Sequence, residues 1–308
     1  MRKIIGIGET VFDIIFKNGQ PISGRAGGSV FNALVSLGRM GQNPIFISEV
    51  GDDMVGKNIK KCMTDNGVST EYLCPLYDHQ SPLALAFLDE NEHPEYMFYK
   101  DYPKENRLDY TMPDIQPDDI VIFGSFFALD QNVREQLMEI LNMARNQEAI
   151  VYYDLNFRKN HAWQVRHLMP EILENMEYAT IIKGSDEDFV NIYNETNSQQ
   201  TYDDHIEFFT KNFIYTEGEN GATIYGNNFK KHYDAQKTDL VSTVGAGDSF
   251  NAGIIYGLLK NRIRMRDLKD GLDEETWDDI VKYGVMFSSK VCSSIENYIP
   301  MDWAKNIK

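Results

Sequence analysis

Residues 243–250 read TVGAGDSF, a glycine-rich turn that ends at the carboxylate of Asp248 and the residues just after it. Phe250, Ile254 and Leu258 then recur at helical spacing, which predicts an amphipathic helix that begins at the turn. Consecutive backbone N–H groups at a helix N-terminus stabilise a phosphoryl group, and small residues let that group approach the backbone. Asp248 could then accept the proton of a hydroxyl group. A capped helix start without chemical function has a similar sequence, so other segments must decide between the two interpretations.

The composition limits the classes of partner. The chain has 308 residues, 42% of them hydrophobic, which is enough for one large or two modest domains. Its net charge is −17, and no run of Lys or Arg indicates a surface for nucleic acid or an anionic membrane. We therefore expect neither as a partner. An acidic protein that binds a polyanion needs Mg²⁺, helix N-termini and a few cations close by, which fits a nucleotide bound with metal.

The cysteines and the N-terminus indicate the compartment. Cys62, Cys74 and Cys292 have neither metal-ligand spacing nor a disulfide pattern, which favours a reducing environment. Glu9 and Asp13 interrupt the apolar core that a signal peptide would need. No stretch is long enough to span a membrane. We therefore expect a cytoplasmic protein.

Short apolar runs alternate with helical patterns, which is typical of an α/β fold with a doubly wound, largely parallel sheet and helices on both faces. The strands expected in that sheet are residues 4–8, 44–50, 120–124, 149–154, 179–183 and 213–216. Helices are expected at residues 29–40, 130–145 and 277–294. Because the sequence contains no repeat and no low-complexity linker, we expect a single domain over residues 1–308.

Residues 11–24 and about 69–110 interrupt the alternation, because they have strand character without intervening helices. The clearest part is LALAFL at residues 83–88, followed by a turn at 89–92 and YMFY at 96–99. This pattern predicts a small inserted β-sheet. Such a sheet would form a lid over the carboxyl ends of the parallel strands, where doubly wound folds bind ligands.

Two other glycine motifs do not predict phosphate sites. Residues 51–58 nearly match a P-loop, but Asn58 replaces the hydroxyl that should hold Mg²⁺, and Asp52 and Asp53 would face the phosphates. Gly6-Ile-Gly8 follows the first strand, but Val11 stands where a dinucleotide-binding turn has its third glycine.

Five motifs occur in an order that resembles the ribokinase-like (PfkB) carbohydrate kinases, and specifically their fructokinase branch. They are Gly8-Glu9 with Asp13, Gly27-Gly28 with Asn32, Asp154-x-Asn156-x-Arg158, Thr216-x-Gly218-x-x-Gly221, and the segment that ends at Asp248. The resemblance covers nearly the whole chain. It implies a ribokinase-like fold, and it identifies residues 51–56 as a structural turn.

The resemblance also implies ATP-dependent phosphorylation of a sugar primary hydroxyl. Asp248 would be the general base, and the backbone amides of Gly245, Ala246 and Gly247 would form an anion hole for the phosphoryl group. The residues expected to bind the sugar are Asp13, Gly27, Gly28, Asn32, Phe98 and Arg158. The residues expected to bind the nucleotide are Lys183, Ser185, Thr216, Gly218 and Gly221, together with Gly245 and Gly247.

The metal sites depart from the family's pattern. Where the family has Asn-x-x-Glu, this chain reads Ser185-Asp-Glu-Asp188. We therefore expect Asp188 to act on Mg²⁺ through water, with Glu187 as a substitute. Where relatives have an aspartate that helps to hold a monovalent cation, this chain has Ser242. Ser242 is a candidate K⁺ ligand, but without a negative charge its affinity should be lower, so we expect weak potassium dependence.

The residues leave the acceptor open between fructose, ribose, ketodeoxygluconate, a nucleoside and a sugar phosphate. A phosphorylated acceptor needs cations near the site, and those in or near the lid are Arg25, Lys100, Lys104 and Arg107. A nucleoside favours aromatic stacking, for which Phe98, Tyr99 and Phe126 are available.

Two expectations concern the protein as a whole. Ser242 and Asp188 motivate an alternative in which the chain binds sugar and nucleotide without turnover, as a regulator, although Asp248 and the glycine turn are intact. The strand faces of a lid favour a homodimer in which two lids pack together, and the resemblance implies the same.

Overall fold

Two β-sheets organise the computed structural model, which describes residues 2–89, 94–103, 107–108 and 112–307. The strands are β1 (Ile4–Ile7), β2 (Val11–Lys17), β3 (Gln20–Gly27), β4 (Ile45–Gly51), β5 (Leu73–Leu76), β6 (Leu83–Leu88), β7 (Pro94–Tyr99), β8 (Ile120–Gly124), β9 (Ile150–Asp154), β10 (Ile181–Ser185), β11 (Phe213–Thr216), β12 (Ala222–Gly226) and β13 (Phe229–Tyr233). The helices are α1 (Ser29–Arg39), α2 (Met54–Asp65), α3 (Gln131–Asn146), α4 (Val165–Tyr178), α5 (Asp186–Tyr193), α6 (Ser198–Thr201), α7 (Ala246–Lys260), α8 (Met265–Asp270), α9 (Glu274–Cys292) and α10 (Met301–Ile307).

The large sheet has nine strands in the order β13-β12-β11-β10-β9-β8-β1-β4-β5. Neighbours from β11 to β5 pair in parallel, whereas β12 and β13 pair antiparallel at one edge. The six strands that the sequence predicts for this sheet are all present, each with bounds within two residues of the prediction. The doubly wound, largely parallel α/β fold is thereby confirmed, while β12 and β13 are an addition that the apolar pattern does not predict.

Alternate residues of the central strands lie in two hydrophobic clusters, one on each face of the large sheet. Ile120 and Ile122 of β8 pack with α1, α7 and α9, whereas Val121 and Phe123 pack with α3, α4 and α5. Because both faces are covered, these strands are apolar at nearly every position. The same layering places α1 and α7 in contact on one face, and this contact sets the geometry of the site.

The small sheet has four strands in the order β3-β2-β6-β7, so the predicted inserted sheet is present. Its boundaries differ from the prediction at two points. The segment Leu73–Leu76 pairs with β4 in the large sheet, and β3 continues to Gly27. Of the turn predicted at residues 89–92, only Asp89 is described, and Lys104 also lies outside the described residues. We call the small sheet the lid.

The near-P-loop at residues 51–58 is a helix start. Asp53 accepts the N–H of Gly56 at 2.7 Å and the N–H of Ser81 at 2.7 Å. A Cβ on Gly56 would lie 2.1 Å from the carbonyl oxygen of Gly51, so the turn is closed too tightly on itself to cradle phosphates. Within the part of the chain that the structure describes, no helix is both long and apolar enough to cross a membrane.

Candidate active site

Asp248 lies in the first turn of α7, and Gly245 is the residue that caps this helix. Gly245 has φ +80°, and a Cβ there would lie 2.0 Å from the carbonyl oxygen of Asn297. Both the backbone conformation and the close contact therefore require glycine. The turn cannot move toward Asn297, so the start of α7 has a fixed position against that residue.

Three backbone N–H groups of the turn are available to an anion. The N–H of Ala246 donates to Thr243 O at 3.2 Å, and that of Ser249 donates to Gly245 O at 2.8 Å. The N–H groups of Gly245, Gly247 and Asp248 have no acceptor among the described residues. Of the three amides predicted to form the anion hole, that of Ala246 therefore already donates within the turn, whereas those of Gly245 and Gly247, and also that of Asp248, have no acceptor among the described residues.

Asp248 is held by Asn32 of α1, whose Nδ2 donates to Oδ2 over 2.8 Å. Burial raises the pKa of Asp248 to about 6, while the hydrogen bond from Asn32 and the charge of Arg158 act in the lowering direction. A carboxylate with this pKa is ionised at neutral pH and is a stronger base than an exposed aspartate. These properties suit a group that accepts the proton of a hydroxyl.

Lys183, in the middle of β10, brings a buried positive charge close to the turn. Its side chain is 5% exposed, and Nζ lies 3.1 Å from Oδ1 of Asp154. Burial opposes the charged form, yet Asp154 and Asp188 hold the pKa of Lys183 above its ordinary value. A Cβ on Gly247 would lie 3.6 Å from Nζ. The ammonium group therefore borders the predicted anion hole.

Asp154 and Asn251 complete this arrangement, and the sequence assigned neither of them a role. Asn251 of α7 donates from Nδ2 to Oδ2 of Asp154 over 2.6 Å, and Tyr152 OH donates to Oδ1 of Asn251 over 2.9 Å. An asparagine three residues after Asp248 in an otherwise apolar helix was the available signal. The network fixes the carboxylate that pairs with Lys183.

Asp188 caps the start of α5 with both of its carboxylate oxygens. Its Oδ1 accepts the N–H of Phe157 at 2.6 Å, and its Oδ2 accepts the N–H of Ser185 at 2.7 Å. Ser185 Oγ in turn accepts the N–H of Asp188 at 3.1 Å, which completes a capping box at the start of α5. Both carboxylate oxygens of Asp188 are thus engaged. Glu187, the substitute raised from the sequence, is exposed in the same first turn.

The Mg²⁺ that the resemblance implies would have few protein ligands here. Among the described residues, no cluster of three or more His, Cys, Asp or Glu side chains could hold a metal ion. Mg²⁺ usually keeps several waters and binds through phosphates with one or two carboxylates. The exposed carboxylate of Glu187 fits that chemistry, because it leaves room for water between the side chain and the ion.

Three of the residues expected to bind the sugar, Asp13, Gly27 and Gly28, lie close together between the lid and α1. Asp13 lies on β2, and a Cβ on Gly27 would lie 2.7 Å from its Oδ2. Gly28 precedes α1 with φ +129°, and a Cβ there would lie 2.3 Å from Glu9 O. Burial raises the pKa of Asp13 to about 7, against the opposing charge of Arg25. We call the region between the lid and the N-terminus of α1 the cleft. Asp13 and Asp248 border it, and their carboxylates can accept hydrogen bonds from hydroxyl groups.

Arg158 and the lid strand β7 border the same cleft. The charge of Arg158 acts on the pKa of both Asp248 and Tyr96, so Arg158 lies near both the base and the lid strand β7. Arg158 is exposed and has no ion pair among the described residues. Phe98 shares a strand face with Tyr96, and the two rings stack at 5.9 Å.

The remaining predicted residues lie along the carboxyl ends of β10 and β11. Thr216 ends β11, and its Oγ1 donates to Gly184 O at 3.4 Å. Gly218 has φ +55° with open space around it, whereas a Cβ on Gly221 would lie 2.1 Å from Tyr233 O. Ser242 Oγ accepts the N–H of Val244 at 3.2 Å. Gly218 therefore leaves room for a ligand. Gly221 packs closely against the backbone of Tyr233, and Ser242 accepts a hydrogen bond within its own turn.

Nearly the whole chain is similar to one family of known proteins. It matches the pfkB family carbohydrate kinase over residues 1–304. The chain belongs to this family. The family and the enzyme class expected from the sequence, a carbohydrate kinase, are thereby confirmed, and the alternative of a regulator without turnover loses its support.

Curated relatives of this pfkB family member include two kinds of sugar kinase. It is 30% identical over 254 residues to "Probable fructokinase-6, chloroplastic" of Arabidopsis thaliana, with 78% of this chain and 64% of that protein covered. It is 28% identical over 251 residues to "5-dehydro-2-deoxygluconokinase 2" of Bacillus cereus, with coverages of 76% and 74%. The match thus spans just under two thirds of the first relative.

Solved structures share the fold. Fructokinase from Vibrio cholerae O395, in a form bound to fructose, ADP and calcium ion, has a TM-score of 0.83 at 20% identity, with 96% of this chain and 94% of that chain covered. Aminoimidazole riboside kinase from Salmonella enterica has a TM-score of 0.79 at 19% identity, with 99% of each chain covered. At these identities the likeness concerns architecture, and the residues of this chain must carry the argument about its substrate.

Proposed function

We propose that this carbohydrate kinase transfers the γ-phosphoryl group of ATP to the primary hydroxyl of a fructose-type ketose, with Asp248 as general base. The observation that carries the proposal is the start of α7. There the carboxylate of Asp248, held by Asn32 at 2.8 Å, stands beside backbone N–H groups that have no acceptor among the described residues. A base and an anion site at one helix terminus are what hydroxyl phosphorylation requires.

In the proposed step the acceptor oxygen attacks the γ-phosphorus, and a new P–O bond forms. The bond between that phosphorus and the oxygen bridging to the β-phosphate breaks, and ADP leaves with its electron pair. The hydroxyl proton passes to the carboxylate of Asp248. The free N–H groups of Gly245, Gly247 and Asp248 would stabilise charge on the phosphoryl oxygens, at roughly 2–4 kcal/mol for a well-placed donor.

Cations help where the nucleotide would bind. Mg²⁺, when bound, neutralises phosphate charge, and Glu187 is the carboxylate of this chain that fits a water-mediated contact to it. Lys183 adds a positive charge beside Gly247 that the protein itself holds in place. In a chain of net charge −17, such local charges are needed to accept a polyanion.

The lid cations give little support to a phosphorylated acceptor, because three of the four candidates already have partners. Lys100 pairs with Glu9 at 2.7 Å, Arg25 donates to Ile295 O, and Arg107 binds both Glu49 and Asp130. Of the rings that could stack on a nucleoside, Phe126 is already stacked on His161 with 3.9 Å between ring centroids, whereas Phe98 and Tyr99 of β7 are exposed.

A sugar acid is the second candidate acceptor, and one observation favours it. Arg158 borders the cleft without an ion pair among the described residues, and its planar fork suits a carboxylate. The relative named 5-dehydro-2-deoxygluconokinase 2 is nearly as similar as the fructokinases. In the fructose-type proposal, Arg158 instead contacts the transferred phosphoryl group, whose oxygens its fork also suits.

We also propose a homodimer through the lid. The outer strand β7 exposes apolar side chains on both of its faces, with Met97 and Phe98 each 50% exposed and Tyr99 53% exposed. An edge strand of this kind tends to pair or to be covered. Sedimentation of the wild-type chain and of Met97→Glu tests the proposal: a dimer that becomes a monomer supports it, and a wild-type monomer at micromolar concentration rejects it.

The function is tested by measuring ADP release from Mg-ATP with fructose, ribose, ketodeoxygluconate, fructose 6-phosphate and adenosine. We expect one preferred unphosphorylated sugar. Asp248→Asn should lower kcat by about 10²–10⁴, with unchanged thermal stability as the control for folding. Turnover that survives in Asp248→Asn would reject the assignment of the base.

A further inference from the structure

Three polar side chains form a buried stripe on one face of α1. Asn32, Ser36 and Arg39 follow each other at spacings of four and three residues, so they lie on one face of the helix, and they are 5%, 0% and 8% exposed. The first of them holds the base Asp248. The other two contact the segment that supports the glycine turn, and the proposed mechanism does not use them.

That segment, residues 293–299, lies between α9 and α10 and is called the support loop here. A Cβ on Gly245 would lie only 2.0 Å from Asn297 O, so the loop backbone touches the turn directly. Just before the loop, Cys292 O accepts the N–H of Val241 at 2.8 Å and that of Ser242 at 3.3 Å. The support loop therefore determines where Gly245 lies, and with it the free N–H groups that follow.

Arg39 holds the support loop at several points. Its Nη1 donates to Ile299 O at 2.8 Å and also binds the carboxylate of Glu296. Its guanidinium lies 4.4 Å from the centroid of the Tyr298 ring. Its Nε donates to Asn66 Oδ1 at 2.7 Å, which fixes the guanidinium from the other side.

Ser36 extends the same connection to α7. Its Oγ accepts the N–H of Ile299 at 3.3 Å and lies 3.2 Å from the Oγ of Ser249, the residue after the base. The stripe on α1 thus contacts Asp248 and Ser249 of α7. It also contacts Glu296 and Ile299, which lie on either side of Asn297 in the support loop. One rigid helix face therefore sets the relative position of the base and the glycine turn.

We propose that Arg39 is a positioning residue for phosphoryl transfer. Through the support loop it fixes Gly245, and so it aims the N–H groups of Gly247 and Asp248 at the transferring phosphoryl group. The inference rests on the proposed role of the glycine turn. Arg39 touches no reactant. Its effect follows because backbone donors act only at a defined distance and angle, and a displacement of about 1 Å can cost on the order of 10² in rate.

Arg134 provides a matched control. It is equally buried, at 9% exposed, and it also donates to a backbone carbonyl, Ala128 O, at 2.8 Å. It binds Glu174 as well. These contacts join α3 to α4 on the opposite face of the large sheet, and none of them reaches the support loop or the glycine turn.

The test compares Arg39→Met with Arg134→Met at a temperature at which both are folded, using Mg-ATP and the preferred sugar. We expect both variants to lose thermal stability. Only Arg39→Met should lose kcat, by about 10–10². Its KM for the sugar should change less than kcat, because none of the contacts described for Arg39 reaches Asp13 or Gly27, and Arg25, which donates to Ile295 O of the support loop, belongs to strand β3. Arg39→Lys should recover only part of kcat, since an ammonium cannot reproduce the fork.

A second readout needs no ligand. Hydrogen exchange of the peptide that covers residues 241–250 should be faster in Arg39→Met than in wild type, and unchanged in Arg134→Met. If Arg39→Met does not fold, Glu296→Gln removes the ion pair between Arg39 and the support loop at a side chain that is 41% exposed. This variant should show the same loss of kcat and the same faster exchange of the 241–250 peptide, both smaller than in Arg39→Met.

Two results would overturn the proposal: unchanged kcat in folded Arg39 variants, or equal exchange in the 241–250 peptide. Failure of the proposed function looks different. In that case wild type would have no turnover with any acceptor of the panel, while the exchange experiment would still report on whether Arg39 orders the turn.

Discussion

Asn32 of α1 donates a hydrogen bond from Nδ2 to Oδ2 of Asp248 at the start of α7, over 2.8 Å. The Oδ1 atom of Asn32 is buried and has no hydrogen-bond partner among the described residues. The sequence assigned Asn32 to the sugar, and that role stays a prediction. The structure adds a direct bond to the proposed base, so one residue can orient the base with its amide nitrogen and receive an acceptor hydroxyl with its amide oxygen.

The pH dependence of turnover should report the state of Asp248. Its pKa is raised to about 6, so the ionised base is lost as the pH falls through 6, and kcat should decline below that value instead of near the ordinary aspartate pKa of about 4. The hydrogen bond from Asn32 lowers this pKa, so Asn32→Leu should move the acidic limb to higher pH. A limb that stays in place in Asn32→Leu would show that the bond does not act on the base.

Lys183 and Asp154 should behave as a coupled buried pair. Lys183→Met leaves the carboxylate of Asp154, which is 2% exposed, without its cation, at a cost of about 3–5 kcal/mol in the free energy of unfolding. The double variant Lys183→Met with Asp154→Asn removes both charges and should be more stable than the single lysine variant. Urea unfolding of wild type, of Lys183→Met, of Asp154→Asn and of the double variant measures these free energies. Additive losses would mean that the two charges do not interact.

Gly245 and Gly218 allow a comparison of the same substitution in two settings. Both have positive φ, at +80° and +55°, so alanine costs about 1–2 kcal/mol of backbone strain at either position. A Cβ at Gly245 also meets Asn297 O at 2.0 Å, whereas Gly218 has no atom within 4 Å. We expect Gly245→Ala to abolish measurable turnover. Gly218→Ala should raise the KM for ATP, because its Cβ enters the space left for a ligand, and should lose far less of kcat. Equal kcat in the two variants would contradict the role of the turn.

Potassium dependence should follow the residue at position 242. Ser242 offers a neutral hydroxyl, which already accepts the N–H of Val244 at 3.2 Å, so exchange of K⁺ for a large organic cation at constant ionic strength should change the rate by less than about twofold. Ser242→Asp restores a carboxylate and should make the rate depend on K⁺. Strong potassium activation of wild type would show that other groups hold the cation.

The sequence predicts the fold well where burial is complete and the site less well where partners come from distant elements. The central strands are apolar at nearly every position, so their pattern alone locates them. The pairing of Lys183 with Asp154 depends on the register of β9 and β10, in which the two residues are opposite each other, and the register is not visible in the chain. The contact of Gly245 with Asn297 is equally invisible.

Asp188 shows that one local signal can have two meanings, and its predicted action on Mg²⁺ through water stays a prediction. Ser185-Asp-Glu-Asp188 resembles a metal-binding element, yet serine followed three residues later by an acid is also the pattern of a capping box. The structure contains that capping box.

The antiparallel strand β13 escaped prediction because its residues Phe229–Tyr233 alternate between half-buried and exposed, and so lack the continuous apolar run of the other strands.

Arg158 separates the two candidate acceptors. If the acceptor is a neutral ketose, Arg158→Gln should lower kcat, by about 10-fold or more, while the KM for the sugar changes little, because the lost contact forms mainly with the transferring phosphoryl group. The charge of Arg158 also lowers the pKa of Asp248, so the acidic limb should shift to higher pH in this variant.

If the acceptor carries a carboxylate, Arg158→Gln should instead raise the KM for that acceptor at nearly constant kcat. The expected rise is about 10–10², for a lost charge-assisted hydrogen bond of about 1.5–3 kcal/mol. Measuring kcat, KM and the pH profile of Arg158→Gln, with Arg166→Gln on the exposed face of α4 as the control, therefore identifies the acceptor class. A profile that is unchanged in all three respects would remove Arg158 from the site.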